Sequence, residues 1–180
     1  MSDAHLLVEN APATWDDHKL VDICDRVSEP VKPLPDGTRT YLGLEHFAKG
    51  FPELVGRGIE SDVKSGKSAF KPNDVLFGKL RPYLRKAVKA TFNGICSTDI
   101  LVFRSVNENC PNYLTYLMHA DPFIEHAKMT TTGVQHPRTS WPALREFQLT
   151  MPPNAEQQKI AYVLSAVSYT HLTLPTILLV

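Results

Sequence analysis

The sequence predicts an α/β fold in which a mixed sheet is followed by the start of a long helix. The chain has 180 residues, 43% of them hydrophobic, which suits one domain with a core of its own. Residues 70–104 contain apolar runs rich in β-branched and aromatic side chains, a pattern typical of strands. In residues 111–129 and 154–167 the apolar positions recur every three or four residues, which indicates helices.

Before residue 70 the sequence predicts short elements separated by turns. Residues 1–14 are predicted to form a flexible leader, and the domain is expected to span residues 15–153. Residues 20–23 indicate a short buried element, and Pro35-Asp36-Gly37 indicates a turn. The β-branched and aromatic content of Thr40–Phe47 favours a strand there.

The middle of the chain predicts three strands. Val75–Phe77 is the first, and Leu84–Phe92 and Ile95–Arg104 are the next two. Asn93-Gly94 lies between the last two strands and is typical of a hairpin turn. Basic residues alternate with apolar ones in this region, so we expect the sheet to have one basic face.

Two helices, the start of a short third helix and a further strand are predicted before residue 153. In the segment 111–129, Asn112 is available as a cap, and Pro122 is predicted to divide the segment into two helices. Trp141–Leu144 can begin a short helix, and Phe147–Met151 is predicted to be a strand.

The last predicted helix, residues 154–167, has an apolar stripe on one side. Fourteen residues make a marginal helix alone, so this helix is expected to pack on the domain or on another helix of the same kind. Residues 168–180 carry no charge and include a proline, and we expect them to be a non-native tail; the alternative is a genuine hydrophobic strand.

Charge is distributed unevenly along this chain, whose formal net charge is zero. Residues 1–30 carry seven acidic residues against two basic ones, whereas residues 64–89 carry eight basic residues against the single acid Asp74. A basic patch on a neutral protein predicts a polyanionic partner, and nucleic acid is the most common one. The alternative is a solvated basic face without a partner.

Several other classes of function find no support in the sequence. Cys24, Cys96 and Cys110 are odd in number and lack metal-site spacing, which predicts neither disulfides nor a metal and favours a reducing, cytoplasmic location. No segment predicts a signal peptide or a membrane span. Gly66-Lys67-Ser68 would end a phosphate-binding loop only if a glycine preceded it by five positions, but Ser61 stands there.

Six motifs, taken in order, are similar to those of a target-recognition domain of a type I restriction-modification specificity (S) subunit. They are Trp15 with Lys19-Leu20, Tyr41-Leu42-Gly43-Leu44-Glu45, Asp74–Lys86 (DVLFGKLRPYLRK), Gly94–Ile100 (GICSTDI), Pro137-Arg138-Thr139-Ser140-Trp141 and Pro152–Ile160 (PPNAEQQKI). The resemblance covers residues 15–167 and identifies the chain as a member of that family.

The resemblance implies a non-catalytic subunit that binds double-stranded DNA and recognises one half of a bipartite target. In the family, S subunits direct DNA methyltransferase (M) subunits, which bind S-adenosylmethionine, and a restriction (R) subunit, which uses ATP and Mg. No cofactor is then expected in this chain. Family members usually contain two recognition domains joined by long helices, so this chain would be a truncated subunit or a half-size one that forms a homodimer through the helix that starts at residue 154.

Three segments supply the predicted DNA contacts. Phosphate contacts are assigned to the basic region, at Lys64, Lys67, Lys79, Arg81, Arg85, Lys86 and Lys89. The hydroxyl-rich loop of residues 130–140 supplies Arg138, Thr139 and Ser140, and residues 50–68 are a candidate for base recognition.

Catalysis by the chain itself is the alternative, as a DNA-cleaving or DNA-modifying enzyme. Asp99 has no second acid in a metal-binding pattern, and its carboxylate is expected to be structural, accepting hydrogen bonds or pairing with a base such as Lys79 or Arg81. His136 and Ser140 lack a third member of a catalytic triad. A third reading is a helix-mediated interaction protein whose basic patch is incidental.

Overall fold

The computed structural model describes residues 11–173 of the chain, and the side chains as far as Val167. In chain order the elements are β1 (Asp16–Lys19), α1 (Leu20–Ile23), β2 (Cys24–Val27), β3 (Pro30–Val31), β4 (Thr40–Leu42), β5 (Gly58–Ile59), β6 (Lys67–Phe70), β7 (Val75–Gly78), β8 (Ala87–Lys89), β9 (Gly94–Cys96), β10 (Ile100–Ser105), α2 (Pro111–Leu117), α3 (Asp121–Met129), α4 (Trp141–Leu144), β11 (Gln148–Met151) and α5 (Asn154–Thr173). Short 3₁₀ turns lie at Leu44–His46, Glu60–Asp62 and Pro82–Leu84.

In the described residues the strands form three sheets. The central sheet is antiparallel, with the order β2-β10-β7-β8, and the outer sheet has the order β3-β6-β9-β4-β5. Strands β4 and β9 run parallel while the other pairs of the outer sheet are antiparallel, so the predicted mixed sheet is confirmed. Strands β1 and β11 pair separately and bring the two ends of the domain together.

The inner strands of the central sheet, β7 and β10, are buried on both faces along most of their length, which explains their continuous apolar sequence. Successive side chains of a strand point to opposite faces. Val75 and Phe77 therefore face the helices, where the Phe77 ring meets that of Phe123 edge to face with centroids 5.3 Å apart. Leu76 and Val102 face the outer sheet and form a second core with Leu42 and its neighbours. The fold is thus helices, central sheet and outer sheet, in that order.

The helical segment 111–129 is divided, as predicted, into α2 and α3. Pro122 lies in the first turn of α3, where its missing N–H leaves no hydrogen bond unmade. The predicted cap at Asn112 is wrong. Pro111 already occupies the first position of α2, and the preceding residue, Cys110, is the N-cap.

The predicted strand Ile95–Arg104 and its hairpin turn are wrong. The segment forms two strands, β9 in the outer sheet and β10 in the central sheet, separated by a turn at residues 97–99. Because β8 belongs to the central sheet, Asn93-Gly94 does not close a hairpin with β9. Gly94 instead allows the backbone near Thr40 to approach β9 closely, since a Cβ at position 94 would lie 2.7 Å from the Thr40 carbonyl oxygen.

The expected basic face of a sheet is also wrong. Of the predicted strand 84–92 only β8 is extended, and Arg85 before it has the left-handed φ of 50°. Thr40–Phe47 is likewise extended only in β4 and then turns. Most basic residues of the region therefore lie beyond the ends of strands, in turns that leave their side chains at one end of the domain.

Helix α5 packs on the domain through one buried amide. Gln157 is 2% exposed; its side-chain oxygen accepts from the Cys110 N–H at 2.9 Å, and its nitrogen donates to Asn109 Oδ1 and the Pro152 carbonyl, both at 2.9 Å. The Trp15 ring N–H donates to Glu156 Oε2 at 3.0 Å. These contacts give Pro152, Glu156 and Gln157 of the motif Pro152–Ile160 (PPNAEQQKI) a structural role.

The predicted terminal boundaries fall partly outside the described residues. The helix continues through Ser168 to Thr173, so the boundary predicted at residue 168 is not an end of the helix. Residues 1–10 of the predicted leader and residues 174–180 of the predicted tail lie outside the described part of the chain.

Candidate nucleic-acid interface

Five strand ends meet at one end of the domain. In the outer sheet, Leu42 at the end of β4 and Ser68 near the start of β6 are both in register with Cys96 at the end of β9. In the central sheet, Gly78 at the end of β7 is in register with Ile100 at the start of β10. The segments next to these strand ends form one surface, which we call the strand-end surface. They are residues 64–67 at the start of β6, residues 79–85 after β7 and residues 97–99 between β9 and β10.

A cleft of about 640 Å³ opens on the strand-end surface between β2–β3 and the start of β6. Its described lining includes five basic residues and no acidic one. The basic residues are Arg26, Lys32, Lys64, Lys67 and Lys79. Like charges focused in a concave site give a strong positive potential, which suits an anionic ligand.

Four of the five cleft cations are free to meet such a ligand. Arg26, Lys32 and Lys64 are exposed, and Lys79 is half-buried. Among the side chains that the structure describes, none of the four makes a hydrogen bond or a close ion pair, although the charge of Lys79 helps to lower the pKa of the Asp99 carboxyl. Lys67 differs because its side chain is 6% exposed and its Nζ donates to the Ser65 carbonyl at 2.8 Å and to Ser65 Oγ at 2.7 Å.

Two more of the predicted basic residues have protein partners. Arg85 donates to the His119 carbonyl at 2.8 Å and pairs with Asp121, which ties the turn after β7 to the start of α3. The Lys86 ammonium donates to the Leu44 carbonyl, and burial lowers the pKa of this amine. Both side chains therefore hold the strand-end surface together.

Arg138 forms a bidentate ion pair with Asp99. Its Nε lies 2.8 Å from Oδ1 and its Nη2 lies 3.2 Å from Oδ2. The hydrogen bond from Arg138 lowers the pKa of the Asp99 carboxyl, despite partial burial. Asp99 therefore pairs with a base, as expected, and that base is Arg138 of the loop of residues 130–140; the charge of Lys79 also lowers the pKa of the same carboxyl.

The remaining predicted residues are divided between the surface and the interior. Arg81 is exposed on the strand-end surface, and Ser140 is exposed immediately before α4. Thr139 is 2% exposed, and its Oγ1 lies 2.9 Å from Thr130 Oγ1. Lys89 lies opposite Val75, which places it at the other end of the central sheet from the cleft.

Arg26 and Lys32 are cleft cations that the sequence analysis missed. They stand among the acids of the N-terminal segment, where the local charge balance is negative. Only the pairing of β2 with β10, and of β3 with β6, brings them beside Lys64 and Lys79. The sequence contains no local signal for that juxtaposition.

A buried carboxylate fixes the loops on the far side of Lys64. Glu60 is 1% exposed and accepts hydrogen bonds from the Leu34 N–H at 3.0 Å and from Arg39 Nε at 2.8 Å. The Arg39 side chain is the main cause of a Glu60 pKa of about 2. This network joins residues 34–39 to residues 60–64 and so orders the rim of the cleft.

Metal-ligating and thiol side chains are dispersed through the described residues. Among them no three His, Cys, Asp or Glu side chains are grouped so as to hold a metal ion. Burial raises the pKa of the Cys24 thiol, and raises that of Cys96 to about 12. No helix in the described part of the chain is both long enough and apolar enough to cross a membrane.

Comparison with known proteins places this geometry in a family. The model of the type I restriction modification DNA specificity domain matches residues 12–177, and the chain belongs to that family. The EcoDI specificity subunit of a type I restriction enzyme from Escherichia coli is 26% identical over 155 residues. That alignment covers 83% of this chain and 34% of the relative.

Solved structures show the same fold. The HsdS subunit from Thermoanaerobacter tengcongensis matches with a TM-score of 0.75 at 22% identity, over 87% of this chain and 42% of that one. A chain from a structure describing assembly and conformational transition of the type I R-M system matches with a TM-score of 0.77 at 19% identity, over 91% and 45%. The predicted α/β target-recognition fold is therefore confirmed. The chain spans about a third of the length of the curated relative and less than half of these solved chains.

Proposed function

We propose that this chain is a DNA target-recognition module of a type I restriction-modification specificity subunit and recognises one half of a bipartite target. The observation that carries the proposal is the cleft on the strand-end surface, with its free cations and no acid in its described lining. A chain of zero net charge that gathers unpaired cations in one concavity is suited to a phosphate backbone. Membership of the specificity-domain family identifies that backbone as DNA.

Phosphate binding is assigned to the cations without protein partners. These are Arg26, Lys32, Lys64, Lys79 and Arg81. Lys67, Arg85, Lys86 and Arg138 instead build the surface, because moving any of them to a phosphate would break contacts within the protein. Lys89 is left out because it lies at the opposite end of the central sheet from the cleft, and the buried Thr139 supports the loop from inside.

The module works without an active site of its own in this proposal. Methyltransferase and restriction subunits would supply S-adenosylmethionine, ATP and Mg chemistry in the cytoplasm, and this chain would place them on DNA. On helix α5 the Tyr162 side chain is 75% exposed and the Val163 side chain is 58% exposed. The helix therefore offers an apolar surface to a second helix, either of a homodimer or of a further recognition domain.

The test is selection of DNA by the full 180-residue chain. The protein is mixed with duplexes that carry a randomised central segment, at several salt concentrations, and the bound fraction is sequenced. We expect enrichment of one short half-site, together with an affinity that falls steeply as salt rises. Binding without any enriched sequence, or no binding at low salt, would contradict the proposal.

A further inference from the structure

The loop of residues 130–140 ends in a tip that projects from the strand-end surface. Val134 at the tip is 99% exposed, and its neighbour Gln135 is also exposed. Gly133 makes the turn with a φ of +90°, and a Cβ there would lie 3.2 Å from the His136 carbonyl oxygen. Among the described residues the Gln135 amide and the Val134 methyl groups have no protein partner.

Below its tip this loop is held firmly. The backbones of Thr132 and Arg138 bond to each other at 2.9 and 3.0 Å, and this single antiparallel bridge closes a narrow loop, which we call the ribbon. Arg138 also forms a bridge with Leu80, and its guanidinium is fixed by Asp99. A projecting tip on a rigid base keeps its side chains in a defined position, which recognition of a base requires.

The ribbon lies beside the cations assigned to phosphate binding. The Arg81 N–H donates to the Pro137 carbonyl at 2.8 Å, and the Thr139 N–H donates to the Lys79 carbonyl at 3.1 Å. DNA whose backbone lies on Lys79 and Arg81 therefore has a groove next to the loop tip. A two-stranded ribbon is narrow enough to enter the major groove.

We propose that the tip of this loop determines specificity at an A·T step of the half-site, with Gln135 as the residue that recognises adenine. The Gln135 amide can donate to adenine N7 and accept from its N6 amino group, and Val134 can pack on a thymine methyl group. An apolar side chain that is fully exposed in the free protein gains burial only when such a partner arrives. This proposal rests on the proposed function.

The test repeats the selection with the full chain and two variants at this position. Gln135→Glu replaces the amide donor with an acceptor, which suits the amino group of cytosine and not adenine N7. At one position of the selected half-site we expect the enriched base to change from adenine in the unchanged chain to cytosine in Gln135→Glu. Gln135→Ala should lose the preference at the same position, by roughly fivefold to 150-fold, while the rest of the half-site is retained. The matched control is Gln148→Glu, an exposed glutamine of β11 outside the strand-end surface.

The outcomes separate this inference from the proposed function. If the unchanged chain and both Gln135 variants enrich one identical half-site, the tip does not recognise a base, although the chain is still a sequence-specific binder. Equal weakening on all sequences by both variants would make the tip a backbone contact and would also overturn the inference. If the unchanged chain enriches no sequence, the proposed function fails and this inference fails with it.

Discussion

Replacing Arg26, Lys32, Lys64 and Lys79 together with alanine is expected to lower the slope of log affinity against log salt by roughly three to four units. Each phosphate contact to duplex DNA contributes a slope of about 0.9 through counterion release. Near 50 mM salt the affinity itself should fall on the order of a hundredfold or more. The measurement is a duplex-binding titration of the full chain over a salt series.

A charge-matched variant controls for the loss of four positive charges. Lys71, Lys89, Lys128 and Lys159 lie outside the cleft, and their replacement by alanine changes the net charge equally. This control should keep the slope of the unchanged chain within about one unit. Equal losses in the two variants would mean that net charge, and not the cleft, drives DNA binding.

Asp74→Ala is expected to destabilise the fold by about 3–5 kcal/mol, because it leaves a cation without its buried partner. Asp74 is 1% exposed. It accepts from Arg104 Nε at 2.8 Å, from Arg104 Nη2 at 2.9 Å and from the Lys71 N–H at 2.9 Å. The alanine variant would leave the Lys71 N–H without its acceptor and the Arg104 guanidinium with only the more distant Glu29 carboxylate, 3.9 Å away.

Chemical denaturation of the full chain measures this free energy of unfolding. Asp36→Ala is the control, since Asp36 is exposed in a turn and its removal should change stability by less than about 0.5 kcal/mol. A loss below about 1 kcal/mol for Asp74→Ala would show that the ion pair with Arg104 does not stabilise the native state. The free energy of unfolding of the double variant Asp74→Ala, Arg104→Ala then separates the loss of the ion pair from the cost of leaving the Arg104 charge without its main partner.

The fold class and most elements could be predicted because their signals are local. Periodicity of three and four residues marks α2, α3 and α5, and the apolar run at β7 marks a strand buried on both faces. The division between β9 and β10 could not be predicted in this way. A run from Ile95 to Arg104 has the same composition whether its two halves share one sheet or belong to two.

The candidate site was harder to predict, because its chemistry depends on distant pairs. Arg85 and Arg138 have the sequence context of DNA contacts, yet their partners Asp121 and Asp99 lie 36 and 39 positions away. Arg26 stands among acids, yet strand pairing carries it to the basic cleft. Local charge predicts a basic region, and the tertiary structure decides which of its cations pair within the protein.

The central claim is that DNA lies on the strand-end surface, and lysine footprinting tests it most directly. The full chain is treated with an amine-acetylating reagent, with and without duplex DNA at low salt, and modification is measured at each lysine by mass spectrometry. We expect DNA to protect Lys32, Lys64 and Lys79 and to leave Lys71, Lys89 and Lys159 as reactive as before. Protection of the second group in place of the first would contradict the account.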